Sequence, residues 1–156
     1  MLDLVAELQG VASTLRAGGV EFALCGGLAV AVHGHVRATR DIDLLIRSAD
    51  RDKALASLKS AGFDLLAAPM TFDAGTPAER NIQRVSKVVG GHLVTVDLIF
   101  VEPAFGRVWA TRLTFERDGT TLVVVSRDGL IEMKRLAARA QDMADIEALE
   151  RASADD

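Results

Sequence analysis

Apolar residues recur along this chain with two periods, and the switches between them predict its elements. Leu4, Leu8, Val11 and Leu15 fall at helical spacing and stop at Gly18-Gly19, predicting an amphipathic helix. Phe22 to Cys25 is an apolar run closed by Gly26-Gly27, predicting a strand, and Leu28 to Val32 predicts a short helix ended by His33-Gly34-His35. Asp41-Ile42-Asp43 then leads into Leu44, Leu45 and Ile46, whose β-favouring content predicts a buried strand. Ser48 or Asp50 is placed to cap a helix with Ala54, Leu55 and Leu58 inward, ending at Ala61-Gly62.

Further along, Phe63 to Leu66 predicts a third strand. Residues 67–80, with Pro69, Pro77 and Gly75, read as the most loop-like stretch and as a border for a substrate site. Ile82 to Val89, carrying Arg84 and Lys87, and Leu93 to Phe100 are expected to form strands joined through Gly90-Gly91. Glu102 to Arg112, with Trp109, reads as a linker. Asp118-Gly119 between Leu113–Phe115 and Thr121–Val125 is a hairpin signal. Ser126 is a suitable N-cap for a helix with Leu130, Met133 and Ala137 on its inner face, and a last helix is expected to use Met143, Ile146 and Leu149 before fraying over 152–156.

The chemistry concentrates between Cys25 and Ile46. Side chains two apart on a strand share a face, so Asp41 and Asp43 point the same way at the edge of an apolar run. Two carboxylates so placed need a cation, and a divalent metal is the natural candidate. A strand, a double glycine and a helix start expose backbone N–H groups, which suits phosphate at Gly26 and Gly27. Arg37, Thr39 and Arg40 precede the aspartates, so a guanidinium is expected near that phosphate. For Arg37 a salt bridge within its own loop is the equal alternative. Asp97, flanked by Val96 and Leu98, needs a partner if ionised, unless it is an isolated strand-end residue. His33 and His35 flank a glycine at a helix end, which favours capping or packing over metal ligation.

A hydrophobic residue, Gly-Gly, thirteen residues and then Asp-Ile-Asp with further hydrophobics resembles the signature of the nucleotidyltransferase superfamily. The extended form GGLAVAVHGHVRATRDIDLLI resembles its minimal bacterial members, among them AbiEii-type toxins and small antibiotic nucleotidyltransferases. The resemblance implies an α/β (α+β) fold of the polymerase-beta-like kind, a mixed sheet with helices packed on it. It implies two Mg²⁺ ions held by Asp41, Asp43 and a third acid on a neighbouring strand, a position that TVDLIF gives to Asp97. It makes Asp97 the group that helps deprotonate an acceptor hydroxyl, and a nucleoside triphosphate the co-substrate. GLIEMKRLAARAQDMADIEAL resembles the carboxyl end of such proteins, which places Lys134 near the triphosphate and singles out Arg139, Asp142 and Asp145; without the resemblance it is two helices with solvated charges.

Composition narrows the rest. The 156 residues fit one domain, a catalytic core over about residues 20–100 with a hairpin and helices over about 112–152. A net charge of −4 argues against a broad nucleic-acid footprint, and the single cysteine excludes an internal disulfide. Cys25 reads as a small buried thiol. No apolar run approaches membrane-spanning length and no secretory signal is visible, so a cytoplasmic protein is expected. Tyrosine is absent and aromatics are 4%, which weighs against a processive polymerase. The acceptor is expected to be an RNA end, a protein or a small molecule. A toxin-type enzyme with a cognate antitoxin or helical partner protein is favoured, antibiotic nucleotidylation comes second, and a non-catalytic regulatory module of the same fold is the competing class.

Overall fold

The structure is a computed structural model that describes residues 2–117 and 119–154; Asp118 of the expected turn, and Asp155 and Asp156 of the expected frayed end, lie outside the described residues. Helix α1 (Leu4–Ala17) is opened by Asp3, whose side chain accepts from the Ala6 amide, and buries Leu8, Val11, Ala12 and Leu15. Strand β1 (Ala23–Cys25) runs directly into α2 (Gly26–Val32), so the two glycines are the first residues of that helix and not a turn before it. Strand β2 (Asp41–Ile46) and helix α3 (Arg51–Ser60) follow. Neither Ser48 nor Asp50 caps α3 through its side chain: the Ser48 hydroxyl donates to Glu102, and Asp50 pairs with Arg47.

The expected third strand shortens to β3 (Leu65–Leu66), because Phe63 leaves the sheet to bury its ring beneath the Lys87 ammonium, 4.7 Å from the centroid. The expected loop contains β4 (Met70–Phe72) and ends where β5 (Arg80–Val89) begins; β5 then pairs with β6 (His92–Phe100). The expected linker contains a short helix, α4 (Gly106–Ala110), held by fully buried Val108, while the Arg112 guanidinium lies over Trp109. The hairpin forms from β7 (Leu113–Arg117) and β8 (Thr120–Val124). Ser126 caps α5 (Arg127–Ala137) by accepting from the Gly129 amide, and α6 (Ala140–Ala154) stays helical through residues expected to fray.

Among the described residues eight strands form one mixed sheet in the order β3–β5–β6–β2–β1–β8–β7, with β4 on the same edge of β5 as β3. Strand pairs β2–β6 and β1–β8 are parallel and the rest antiparallel. Alternation along the strands divides the two faces. Ile42, Leu44, Ile46, Val94, Val96 and Leu98 make one face a dry core, closed by α1 and α3 through Lys87–Glu7 and Arg51–Gln83 contacts. Asp41, Asp43 and Asp97 lie on the other face. Among the described residues no helix is long and apolar enough to cross a membrane.

Candidate active site

Strand register sets the site. Cys25, Asp43, Asp97 and Arg84 are direct partners across β1, β2, β6 and β5, so their side chains form one row on one face of the sheet. Asp41, two residues before Asp43, extends the same face. Arg84 grips Asp97 through two hydrogen bonds, Nε to Oδ1 at 2.8 Å and Nη2 to Oδ2 at 3.0 Å, and its Nη2 lies 3.7 Å from Asp41 Oδ2. Burial, then the charges of Asp97 and Asp41, push the Asp43 carboxyl up to about 7. Asp41 is raised for the same two reasons, burial first and Asp97 second, with Arg84 opposing. Burial and the charge of Asp43 likewise raise the Cys25 thiol, which stays an inert floor to the row.

The glycines are required by the site's own side chains. A Cβ on Gly26, whose φ is +66°, would lie 1.9 Å from Asp43 Oδ2; one on Gly27 would lie 2.6 Å from Thr39 Oγ1 and 3.2 Å from Arg37 Nη2. The bare backbone of Gly26 thus makes room for Asp43, and Gly27 lets the 33–40 loop fold over the start of α2. Gly26→Ala is therefore expected to destabilise the fold by at least about 2 kcal/mol, read as a lowered thermal midpoint. A midpoint unchanged by Gly26→Ala would contradict the packing. Gly27→Val would displace Thr39 and Arg37 in the same way.

Across the cleft, α6 presents Asp142 and Asp145 inward, 1% and 0% exposed, where Met143 was expected; Met143 is 44% exposed. These two acids hold a fan of cations. Asp145 takes both Arg37 Nε and Nη2 at 2.7 Å and Lys134 Nζ at 2.8 Å, while Asp142 takes Arg139 Nε at 2.8 Å and Lys134 Nζ at 3.3 Å. Burial alone would raise Asp145, but the hydrogen bonds from Arg37 and Lys134 outweigh it and bring it to about 2. Asp142 is lowered in the same way against burial, chiefly by Arg139. Arg37 thus makes a salt bridge to a distant helix, not one within its own loop.

Gly26, Gly27, Arg37, Thr39, Asp41, Asp43, Asp97 and Lys134, the eight candidates from the sequence, all line one cleft of about 540 Å³. Arg80, Arg84, Met70, Phe72 and Arg139 line it too. Arg80, Ile82 and Arg84 share a strand face, a period-two signal visible in RNIQR, but only the register brings Arg84 onto Asp97. His33 and His35 stay apart from this chemistry: His33 Nε2 is bonded to the Val125 carbonyl oxygen, as a helix-end packing role requires.

The row suits a divalent ion in two respects. Its oxygen donors are all carboxylates, as hard cations prefer, and Asp43 is raised first by burial and then by the charges of Asp97 and Asp41, a repulsion that a cation would relieve. As they stand, with both Asp97 oxygens on Arg84, no three Asp, Glu, His or Cys side chains among the described residues gather closely enough to hold an ion.

The raised Asp43 also fixes a pH dependence of metal-free stability. Between an unfolded carboxylate value near 4 and the folded value of about 7, the folded chain keeps a proton that the unfolded chain has lost. Stability therefore falls as pH rises through this window, by up to roughly 4 kcal/mol. Asp43→Asn is expected to flatten that fall and raise the thermal midpoint at pH 8 in EDTA. Equal midpoints for the two proteins at pH 8 would contradict a buried, repelled carboxylate.

Comparison with known proteins shows the family and the fold. Residues 13–156 match the profile of the family described as nucleotidyl transferase AbiEii toxin, type IV TA system. No curated protein sequence matches. The fold is similar to an antigenic nucleotidyltransferase-like protein from Paracoccidioides brasiliensis, with TM-score 0.63 and 19% identity over 94% of this chain and 74% of that one. It is also similar to the lincosamide antibiotic adenylyltransferase LnuA, solved with lincomycin bound, with TM-score 0.60 and 16% identity over 93% and 95%. A third likeness is ANT(2″)-Ia, solved with adenylyl-2″-tobramycin, with TM-score 0.58 and 11% identity over 96% and 92%. At these identities the likeness is one of fold.

Proposed function

Because the chain belongs to the AbiEii family of nucleotidyltransferase toxins, we propose that it transfers a nucleoside monophosphate from a nucleoside triphosphate to a hydroxyl acceptor. The observation that carries this is the row of Asp43 and Asp97 with Asp41 beside it, facing the cation fan of α5 and α6 across one cleft. The acceptor oxygen attacks the α-phosphorus, the bond from that phosphorus to the bridging oxygen breaks, and pyrophosphate leaves with the electron pair. Asp97 takes the proton of the attacking hydroxyl. Asp41, Asp43 and Asp97 are the residues that would hold Mg²⁺, which when bound supplies a clamp on attacking and leaving oxygens. The first N–H groups of α2, at Gly26 and Gly27, have no side-chain cap and suit phosphate oxygens. Arg37 and Lys134, fixed by Asp145, and Arg139, fixed by Asp142, neutralise the triphosphate.

For the acceptor, an RNA end or a protein is preferred to a polycationic antibiotic. What supports this preference is the family, described as toxins of a toxin–antitoxin system; Arg80 and Arg84 line the β5 wall of the cleft beside Met70 and Phe72 but are already paired with Asp73 and Asp97. A toxin of a toxin–antitoxin pair further implies a cognate antitoxin as partner. The test is incubation with each α-labelled triphosphate, Mg²⁺ and separate pools of total RNA, protein and aminoglycoside-like compounds. Label is expected in the RNA or protein pool. Label confined to the aminoglycoside pool would reverse the preference, and none in any pool would favour a non-catalytic module.

A further inference from the structure

Arg84 holds the one position in the carboxylate row that a positive charge already fills. Among the described residues it is the only cation within ion-pair distance of Asp41 or Asp97, and it takes up both Asp97 oxygens. Its side chain is 43% exposed while that of Asp97 is 11% exposed. A guanidinium so placed can be rehydrated when it leaves, whereas the carboxylate cannot follow, so its departure is costly unless another cation takes its place at Asp97. Arg84 lines the cleft on the sheet face opposite the core, as its register with Asp97 dictates.

We propose that Arg84 is a displaceable counter-ion of the site, competing with a divalent ion for Asp97 and thereby weakening ion binding in the nucleotide-free protein. This rests on Asp41, Asp43 and Asp97 being the ion ligands. An entering ion must replace two charge-assisted hydrogen bonds on Asp97 and meets a positive charge at the same carboxylate. Arg84 thus offsets part of the row's negative charge, at Asp97 and beside Asp41, and yields Asp97 only to a stronger cation. A purely structural salt bridge would have no such relation to ion binding.

The test is Mn²⁺ binding to the metal-free protein without nucleotide, followed by electron paramagnetic resonance, for wild type, Arg84→Gln, Arg80→Gln and Asp43→Asn. Arg84→Gln is expected to tighten Mn²⁺ binding about tenfold, the scale on which one adjacent opposite charge biases a carboxylate. Arg80→Gln removes the same charge from the same wall but from a side chain paired with Asp73, and is expected to change binding by less than about threefold. In parallel, the Arg84 Nε–H resonance is expected to shift on Mg²⁺ titration. The counter-ion role alone is overturned if wild type binds Mn²⁺, Asp43→Asn abolishes it, and Arg84→Gln leaves affinity unchanged or weaker. It is equally overturned if Arg80→Gln tightens binding as much, since a general field would then suffice. If neither wild type nor Arg84→Gln binds Mn²⁺, or Asp43→Asn binds as wild type does, the ligand assignment itself fails and the inference falls with it.

Discussion

Asp97→Asn is expected to leave triphosphate affinity within a few-fold of wild type while single-turnover transfer falls by about a hundredfold or more. Asparagine keeps the shape of the side chain, so the β2–β6 register that sets Asp97 beside Asp43 survives. What is lost is a negative oxygen able to hold an ion and to take the acceptor proton. The cations proposed to meet the triphosphate lie elsewhere: Arg37 and Lys134 are held by Asp145, and Arg139 by Asp142, none of them by Asp97. Binding and chemistry should therefore separate in this one variant. Calorimetric triphosphate affinity beside quenched-flow transfer reads both, and near-normal transfer would reduce the row to a pair of aspartates.

The second large effect is on stability. Asp145→Asn is expected to destabilise the protein by about 3–5 kcal/mol, because it removes the charge that two cations share at a fully buried position. Lys134, 5% exposed, would be left with Asp142 at 3.3 Å, and Arg37 would lose its bidentate partner. In a domain of this size the thermal midpoint should drop by roughly 10 °C. The sign of the pH dependence is opposite to that of Asp43. With its folded value lowered to about 2, Asp145 contributes stability in full above the unfolded value near 4, and the contribution is lost as pH falls towards 2. The gap between wild type and Asp145→Asn should accordingly narrow by about 2.5 kcal/mol between pH 4 and 2 in thermal unfolding. A gap of less than about 1 kcal/mol at pH 7 would mean that the ion pairs on α6 are dispensable, as exposed pairs often are.

The two halves of this site differed in how far their residues announced them. DIDLLI carries its own face assignment, since strand alternation puts Asp41 and Asp43 together whatever the rest of the chain does, and Gly26-Gly27 could be placed because a helix begins there. Asp97 was visible as a charge in an apolar run. Arg84 was not, because nothing in RNIQRVSKVV reveals which residue of β6 it will oppose; a one-residue slip would put it on the α1 side with Lys87. On α6, Ile146 and Leu149 are buried as their stripe predicts, but Met143 is exposed and Asp142 and Asp145 face inward beside them. The apolar pattern alone gave no sign of these acids, which only the resemblance singled out, since the cations that justify them, Lys134 and Arg37, are supplied by other elements. Helix α4 was missed for a plainer reason: five residues are too few to show a period.

Nucleotidyl transfer by the carboxylate row is tested most directly by pyrophosphate release from each triphosphate with Mg²⁺ and the acceptor pools, comparing wild type with Asp43→Asn. Release by wild type matched mole for mole by label in an acceptor, abolished by EDTA and by Asp43→Asn while the variant remains folded, is the predicted result. Release that persists undiminished in folded Asp43→Asn, or in EDTA, would contradict it.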